Sequence, residues 1–175
     1  MLSTILTCST PVLRLSLLCA ATQYRPVAEW QTAVGGSLPG TPVQGGVDSN
    51  GEPIYVGRAH HNGDNIPGKV VPSHGCCYVS WSGDEHSHHD YQVLCNPSYS
   101  QLEWQWADGS NIPPGAIQGG ATADGEPLYI GRHEHDGSMT IGKVHPSHGC
   151  VYLPFGGSEH SYSNYEILVC RSICF

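Results

Sequence analysis

Residues 51–94 read GEPIYVGRAHHNGDNIPGKVVPSHGCCYVSWSGDEHSHHDYQVL, and the stretch recurs at residues 125–168 as GEPLYIGRHEHDGSMTIGKVHPSHGCVYLPFGGSEHSYSNYEIL. The two copies are separated by a constant offset of 74 residues. The alignment extends upstream without a gap to Trp30 and Trp104, and nearly half of the aligned positions are identical. A fixed period of this length indicates two copies of one folding unit.

Each copy consists of short runs rich in β-branched and aromatic residues, bounded by turn residues. Residues 53–58 and 76–81 alternate in this way, and the segments 62–64 and 82–83 have the composition of turns. No long run places apolar residues at helical spacing. We therefore predict an all-β chain: two tandem antiparallel repeats of about four to six strands each, related by a pseudo-twofold axis and packed as a β-sandwich-like unit.

The repeats account for most of the chain. An apolar run at residues 12–21 ends in small residues, as in a signal peptide, while Arg14 interrupts it. An untargeted leader fits equally well, so the location stays open between the extracellular space, which we prefer, and the cytoplasm. The predicted segments are a leader at 1–27, a first repeat at 28–95, a linker at 96–102, a second repeat at 103–170 and a tail at 171–175.

The charge balance and the absence of enzyme motifs narrow the function. Fifteen acidic and seven basic residues give a formal net charge of −8 with neutral histidines. This balance argues against nucleic acid or an anionic membrane as the main partner. The sequence contains no nucleophile elbow, P-loop, dinucleotide fingerprint or His-Glu-x-x-His motif, so we expect a non-enzymatic binding protein.

The cysteines and histidines do not repeat as a disulfide framework or a metal site would. Of the eight cysteines, only Cys76 and Cys150 are equivalent. We expect mostly free thiols, with a bridge from Cys170 to Cys174 only in a secreted protein. The segments 86–89 (His-Ser-His-His) and 133–135 (His-Glu-His) raise the possibility of zinc. Most of these histidines are not repeated, so we expect them to bond backbone in turns, with no metal and no cofactor.

The repeated arginines, tryptophans and tyrosines have a structural interpretation. We expect the repeated Trp, and the Tyr of each Tyr-x-Gly-Arg motif, to pack in the core or between repeats. Each arginine is expected to pair with an acidic residue of its own repeat. Glu85 is an example of such a partner for Arg58, and Glu159 for Arg132.

The two repeated lysines are harder to explain as framework. Lys69 and Lys143 lie in Gly-Lys-Val runs beside apolar strands, where an unpaired ammonium is costly to bury. Each ammonium should therefore reach a cleft or a carboxylate. Asp48 lies in a turn-rich loop where its carboxylate can face solvent. A carboxylate and an ammonium in one cleft suit a neutral polyol, since one accepts from hydroxyls and the other donates to them.

These motifs resemble the DM-nine repeat family. The resemblance rests on Tyr-x-Gly-Arg, Gly-Lys-Val, Pro-Ser-His-Gly-Cys and Gly-x-x-Glu-His, and it covers residues 28–169. The family occurs in tandem in insects and molluscs, and beside pore-forming modules in natterin-like proteins. No pore-forming segment follows the repeats in this sequence, so lysis is not expected.

The resemblance implies a fold of two intertwined β repeats. It also implies a mannose-binding lectin that forms homodimers, in which an Asp and the Lys of Gly-Lys hold mannose hydroxyls. Asp48 and Lys69 match these positions in the first repeat. The second repeat keeps Lys143 but has Thr122 at the place of the Asp, with Asp124 two residues further on, and these make Lys143 and Asp124 secondary candidates.

We therefore expect a non-enzymatic lectin for mannose-containing glycans, used to recognise microbial surfaces in innate immunity. Weak single contacts would gain avidity from two sites per chain or from a homodimer. The alternative is an intracellular protein-interaction module without a sugar ligand. Replacing Asp48 or Lys69 is expected to abolish sugar binding and to leave thermal stability nearly unchanged. The second copy has Ile141 at the position equivalent to Pro67. This difference is expected to alter the loop before Lys143.

Overall fold

The computed structural model describes residues 27–171. The predicted leader lies outside these residues except for Val27, as do Cys174 and most of the tail. In the described part, strands dominate, and the all-β prediction is confirmed. No helix within residues 27–171 has the length and apolar character needed to cross a membrane.

Each repeat contributes seven strands and one 3-10 turn. The first repeat contains β1 (Glu29–Val34), β2 (Gln44–Val47), β3 (Pro53–His61), β4 (Asp64–Val71), the 3-10 turn Pro72–His74, β5 (Cys76–Trp81), β6 (Asp84–His88) and β7 (Asp90–Cys95). The second contains β8 (Leu102–Asp108), β9 (Gln118–Ala121), β10 (Pro127–His135), β11 (Ser138–His145), the 3-10 turn Pro146–His148, β12 (Cys150–Phe155), β13 (Ser158–Tyr162) and β14 (Asn164–Cys170).

The hairpin turns follow directly from the sequence. Asn62 and Gly63 have φ values of 48° and 90°, and Ser82 and Gly83 have 53° and 94°. Two successive positive-φ residues are typical of the tight hairpin turns whose twist matches that of the flanking strands. Both turns predicted from the first repeat are therefore confirmed.

The strands of the two repeats are interlaced. The hydrogen-bonded order is β1-β7-β3-β2-β11-β12-β13-β6-β5-β4-β9-β10-β14-β8, with β3 also paired to β4 and β10 to β11. Val47 of β2 pairs with Met139 of β11, and the equivalent residues Ala121 and Asn65 pair between β9 and β4. This matching register confirms the predicted pseudo-twofold relation.

The number of strands per repeat was underestimated. The structure has seven strands per repeat where about four to six were predicted. Strands β2 and β9 contain Gln-Gly-Gly, and β6 and β13 are polar, so none of the four has a strand-like composition. A Cβ at Gly46 would overlap the carbonyl oxygen of Met139, and one at Gly120 would overlap that of Asn65. Glycine is required there because the two repeats approach each other backbone to backbone.

Three apolar clusters form the core. One belongs to each repeat, and the central cluster combines both, with Ile54 and Leu94 from the first repeat and Ile130 and Leu168 from the second. Trp30 and Trp104 pack against this central cluster, as expected from their repetition. The two repeats therefore share one interior.

The cysteines within the described residues are free, as predicted: Cys76, Cys77, Cys95, Cys150 and Cys170. Cys76 is buried and Cys150 is half-buried. Burial raises the pKa of the Cys77 thiol, which keeps it protonated in the core. The Cys170–Cys174 bridge, expected only in a secreted protein, lies partly outside the described residues.

Candidate functional site

Asp48 and Lys69 line the same surface cavity, as their sequence pattern suggested. The cavity has a volume of about 240 Å³. Residues of both repeats form its walls: Asp48, Ser49, Lys69, Val71, His74, Tyr78, Glu85, Phe155 and Gly156. We call this cavity the Lys69 site.

Strand pairing places Lys69 at the base of the site. In β4, Lys69 lies opposite Tyr78 of β5, and its side chain is almost fully buried at 6% exposure. Its Nζ lies 3.7 Å from Glu85 Oε1, beyond the range of a good hydrogen bond. Burial lowers the pKa of Lys69, while the carboxylates of Glu85 and Asp48 oppose that shift. The site is thus built around a buried ammonium whose ion pair is loose.

Aromatic rings cover the ammonium from two sides. Lys69 Nζ lies 4.8 Å from the ring centroid of Phe155 and 5.6 Å from that of Tyr78. Both distances are within the range in which a cation is attracted to a ring face. Tyr78 is held in turn by His74, whose Nδ1 lies 3.1 Å from the tyrosine hydroxyl. The chain therefore supplies an apolar wall beside a polar base.

Phe155 belongs to the second repeat, so the Lys69 site is shared between the copies. Two hairpin turns meet at the pseudo-twofold axis, where Gly157 N donates to Glu85 Oε2 at 2.7 Å. The symmetric bond runs from Gly83 N to Glu159 Oε2 at 2.8 Å. Glu85 thus faces Lys69 with one oxygen and the opposite repeat with the other.

The loop that carries Asp48 is tied to the rim of the site. Gly51 N donates to the carbonyl of Asp48 at 2.9 Å and closes the turn after β2. The carboxylate of Glu52 accepts a hydrogen bond from Ser73 N at 2.9 Å and another from its hydroxyl. These bonds, with the Ser73 hydroxyl contributing most, lower the pKa of Glu52. The aspartate loop and the 3-10 turn that carries His74 are therefore held as one unit.

The equivalent position around Lys143 is more tightly closed. Lys143 Nζ donates to the carbonyl of Ser80 at 2.7 Å and lies 3.1 Å from Glu159 Oε1. Thr122 occupies the place of the aspartate, and its hydroxyl accepts a hydrogen bond from Glu126 N. Asp124 lies exposed in the turn and is not beside Lys143 in any pairing of the described residues. The second repeat thus keeps the lysine and its carboxylate but lacks a carboxylate at the aspartate position.

The arginines do not pair with Glu85 and Glu159, although Arg132 does pair with an acidic residue of its own repeat. Arg58 donates to Gln92 Oε1 at 2.8 Å, and Arg132 forms an ion pair with Glu166 at 2.8 Å. Glu85 and Glu159 instead face the lysines. Each guanidinium also reaches a glycine carbonyl of the other repeat and stacks on the repeated tryptophan, at 4.2 Å and 4.3 Å from the ring centroids.

The prediction for the loop before Lys143 was also wrong. Pro67 and Ile141 both lie inside strands, where each pairs with the arginine of its own repeat. Strand β4 changes partner around Pro67, pairing with β9 at Asn65 and with β5 from Lys69 onward. On the side of β4 away from β3, neither β9 nor β5 pairs with Pro67, so no ladder hydrogen bond on that side requires its missing N–H.

The histidines form ring stacks beside the aromatic walls. The His61 and His86 rings stack at 4.0 Å, and those of His135 and His160 lie 4.1 Å apart. His86 also bonds a strand carbonyl, in line with the predicted backbone role. Burial, followed by the neighbouring imidazole, lowers the pKa of both His61 and His135. Across residues 27–171, no three His, Cys, Asp or Glu side chains are grouped so as to hold a metal ion.

Sequence reasoning missed the residues that complete the Lys69 site. Tyr78 lies in a predicted strand, Glu85 was assigned to an ion pair with Arg58, and Phe155 was given no role. The signal available was the repetition of an acidic residue and an aromatic residue together with each lysine. No feature of the sequence, however, indicates that Phe155 crosses to the lysine of the other copy.

Comparison with known proteins supports the repeat assignment. The family model of the DM9 repeat matches the sequence at residues 12–68 and 48–162. Natterin-4 of Thalassophryne nattereri is 29% identical over 133 residues, which are 76% of this chain and 32% of that protein. Natterin-3 of the same species is 28% identical over 93 residues, which are 53% of this chain and 23% of that protein. The chain thus spans about a third or less of the length of these curated relatives.

A solved structure shares the fold. The crystal structure of the nematode sperm cell motility protein MFP2B matches with a TM-score of 0.60 at 18% identity, over 84% of this chain and 47% of that one. At this identity the likeness concerns the fold alone. The family match covers most of the chain, and the interlaced repeats carry the motifs that suggested it, so the chain belongs to the DM9 repeat family.

Proposed function

We propose that this chain is a non-enzymatic carbohydrate-binding protein whose Lys69 site takes a mannose-type hexose. The observation that carries the proposal is the meeting of Asp48, Lys69 and Glu85 in one cavity of about 240 Å³ with an aromatic wall. A hexose presents adjacent hydroxyls on one side and C–H groups on the other. The cavity offers complementary polar and apolar groups.

The charges of the site favour a neutral ligand. Two carboxylates, those of Asp48 and Glu85, flank the ammonium of Lys69, so an anion would face repulsion from both. The carboxylates accept hydrogen bonds from hydroxyls, and the ammonium donates to a hydroxyl oxygen. Bonds to charged groups are stronger than those between neutral groups, which suits a ligand rich in hydroxyls.

The loose ion pair of Lys69 leaves the ammonium able to bind a ligand. At 3.7 Å from Glu85, the Nζ can shift toward an incoming hydroxyl without losing a short hydrogen bond. Lys143 differs, because it already donates to Ser80 at 2.7 Å. We therefore assign the sugar site to the first repeat, since the structure does not bring the secondary candidates Lys143 and Asp124 together.

A single monosaccharide would bind weakly. A few net-favourable hydrogen bonds of about 1 kcal/mol each and one ring contact correspond to a dissociation constant on the order of 1 mM. Useful avidity would then require two sites per chain or a homodimer. Such a protein suits the recognition of mannose-containing glycans on microbial surfaces in innate immunity, in an extracellular setting.

The test is a calorimetric titration of the full chain with methyl α-mannopyranoside. We expect saturable binding that is lost in Asp48→Asn and retained in Asp124→Asn, its matched control in the second repeat. Asp48→Asn keeps the size of the side chain and removes only the charge. A folded protein that gives no heat with the mannoside would overturn the proposal and leave the interaction-module alternative.

A further inference from the structure

Trp106 is exposed on the edge strand β8, remote in sheet order from the Lys69 site. Its relative exposure is 65%, and no other tryptophan within residues 27–171 is among the exposed large apolar side chains. Among the strands of residues 27–171, β8 pairs only with β14, so it forms one edge of this sheet. A ring that is this exposed contributes little to the core, and tryptophan is enriched at binding interfaces.

The indole stands between two surface cavities. One has a volume of about 370 Å³ and is lined by Trp106, Ala107, Asp108 and Asn164. The other has a volume of about 250 Å³ and is lined by Trp106, Arg132, His133, Glu134, Met139 and Glu166. Neither cavity shares a lining residue with the Lys69 site.

The polar groups beside the indole are held in place. Trp106 pairs with Glu166 across the sheet, and Glu166 pairs with Arg132 on the next strand. The guanidinium is fixed by Glu166 at 2.8 Å, by the carbonyl of Gly45 at 2.9 Å and by the ring of Trp104 at 4.3 Å. Three contacts make it a rigid wall rather than a mobile surface charge.

The first repeat has the same groove without the aromatic ring. Its equivalent cavity of about 440 Å³ is lined by Thr32, Arg58 and Gln92, among others. Thr32 and Gln92 occupy the places of Trp106 and Glu166. The framework of the fold therefore does not require an indole at this position, and the ring is a property of the second repeat alone.

We propose that Trp106 and its two flanking cavities form a second carbohydrate contact for a pyranose ring of a neutral glycan. The ring's C–H face would stack on the indole, and its hydroxyls would reach Asp108 on one side and Glu166 on the other. The acidic groups Asp108, Glu134 and Glu166 outnumber the single Arg132, which disfavours an anionic sugar. The contact goes beyond the Lys69 site and does not depend on it.

The experiment follows the indole N–H resonances of the full chain by NMR during titration with mannotriose, cellotriose and chitotriose, each to about 10 mM, enough to detect millimolar affinity. Trp106→Thr assigns the resonance and gives the second groove the residue of the first. We expect at least one trisaccharide to shift the Trp106 signal saturably, both in the unmodified chain and in Asp48→Asn. Persistence in Asp48→Asn separates this contact from the proposed mannose site.

Two results would overturn the inference. One is the absence of any saturable shift of the Trp106 resonance with all three sugars. The other is a shift that depends on protein concentration without sugar, since the indole would then be a contact between copies of the chain. Tyr99→Asn is the control, because Tyr99 is exposed at 82% with a positive φ that Asn tolerates, and it should leave binding unchanged.

Discussion

The two repeated lysines should differ in their contribution to stability, and paired substitutions to methionine test this. Lys143→Met removes the 2.7 Å hydrogen bond to Ser80 O and leaves the carboxylate of Glu159, 9% exposed, without its cation. Lys69→Met removes a looser pair, in which Nζ lies 3.7 Å from Glu85 Oε1. Methionine retains most of the apolar volume, so packing changes little.

The expected magnitudes follow from these contacts. Removing one partner of a buried ion pair costs about 3–5 kcal/mol when the other charge stays buried. A hydrogen bond to a charged group contributes about 1.5–3 kcal/mol. We therefore expect a loss of about 4 kcal/mol for Lys143→Met and about 2 kcal/mol for Lys69→Met. Because Lys69 is buried, we now expect its removal to lower stability, contrary to the expectation from sequence that stability stays nearly unchanged.

Urea denaturation and thermal melting of the full-length variants measure the difference. For a chain of this size, about 2 kcal/mol corresponds to a gap of about 4–8 °C between the two melting temperatures. Lys143→Met with Glu159→Gln should recover part of the loss, since the amide stays neutral and its oxygen can still accept from Gly83 N. Equal losses, or a larger loss for Lys69→Met, would refute the argument that Lys69 is the less committed lysine.

Three further predictions concern the shared site, the histidines and the joint between repeats. Phe155→Leu should weaken binding of methyl α-mannopyranoside about three- to tenfold in calorimetry, because the ring facing Lys69 is lost. Phe155→Tyr keeps a ring there and should retain the affinity. Unchanged affinity in the leucine variant would show that the second repeat does not contribute to the site. Burial lowers the pKa values of His61, His88, His135 and His145 below 6.5, so these groups contribute stability above pH 6.5 that is lost as pH falls through their folded pKa values. The melting temperature should therefore drop between pH 7.5 and 5.5, and a constant or rising value would contradict this sign. Gly46→Ala should lower the free energy of unfolding by more than about 3 kcal/mol in urea denaturation, because its Cβ would overlap the backbone of Met139. The control Gly35→Asn, at φ 59° in open space, should lower it little. Similar losses in the two variants would show that β2 and β11 are not closely packed.

The repeat and its short β-rich runs were enough to predict an all-β fold in which two equivalent units are related by a pseudo-twofold axis. Alternation and the paired turn residues identified most strands, and the resemblance to the DM-nine repeat implied that Asp48 and Lys69 act together; they line one cavity. The strands that were missed, β2 and β6 among them, lack a strand-like composition. Their geometry is set by contact with the other repeat, which no local pattern records.

The partners of the charged residues could not be predicted for a related reason. Arg58 and Lys69 lie on neighbouring registers of the same sheet, and each had a carboxylate available in its own repeat. Which cation faces Glu85 depends on the turn at Gly157, which crosses the pseudo-twofold axis and holds one oxygen of that carboxylate. A contact of this kind is a property of the assembled pair of repeats.

The shared axis also explains how one duplication can produce two unequal sites. A lysine and a glutamate recur in both copies, and both ion pairs are anchored by the same reciprocal bonds between hairpin turns. The residues that differ lie around this constant frame. Asp48 is replaced by Thr122, and Phe155 has Trp81 as its counterpart across the axis. Because Phe155 and Gly156 in the wall of the Lys69 site come from the second repeat, a substitution in that repeat can change the site of the first while the central ion pairs stay intact.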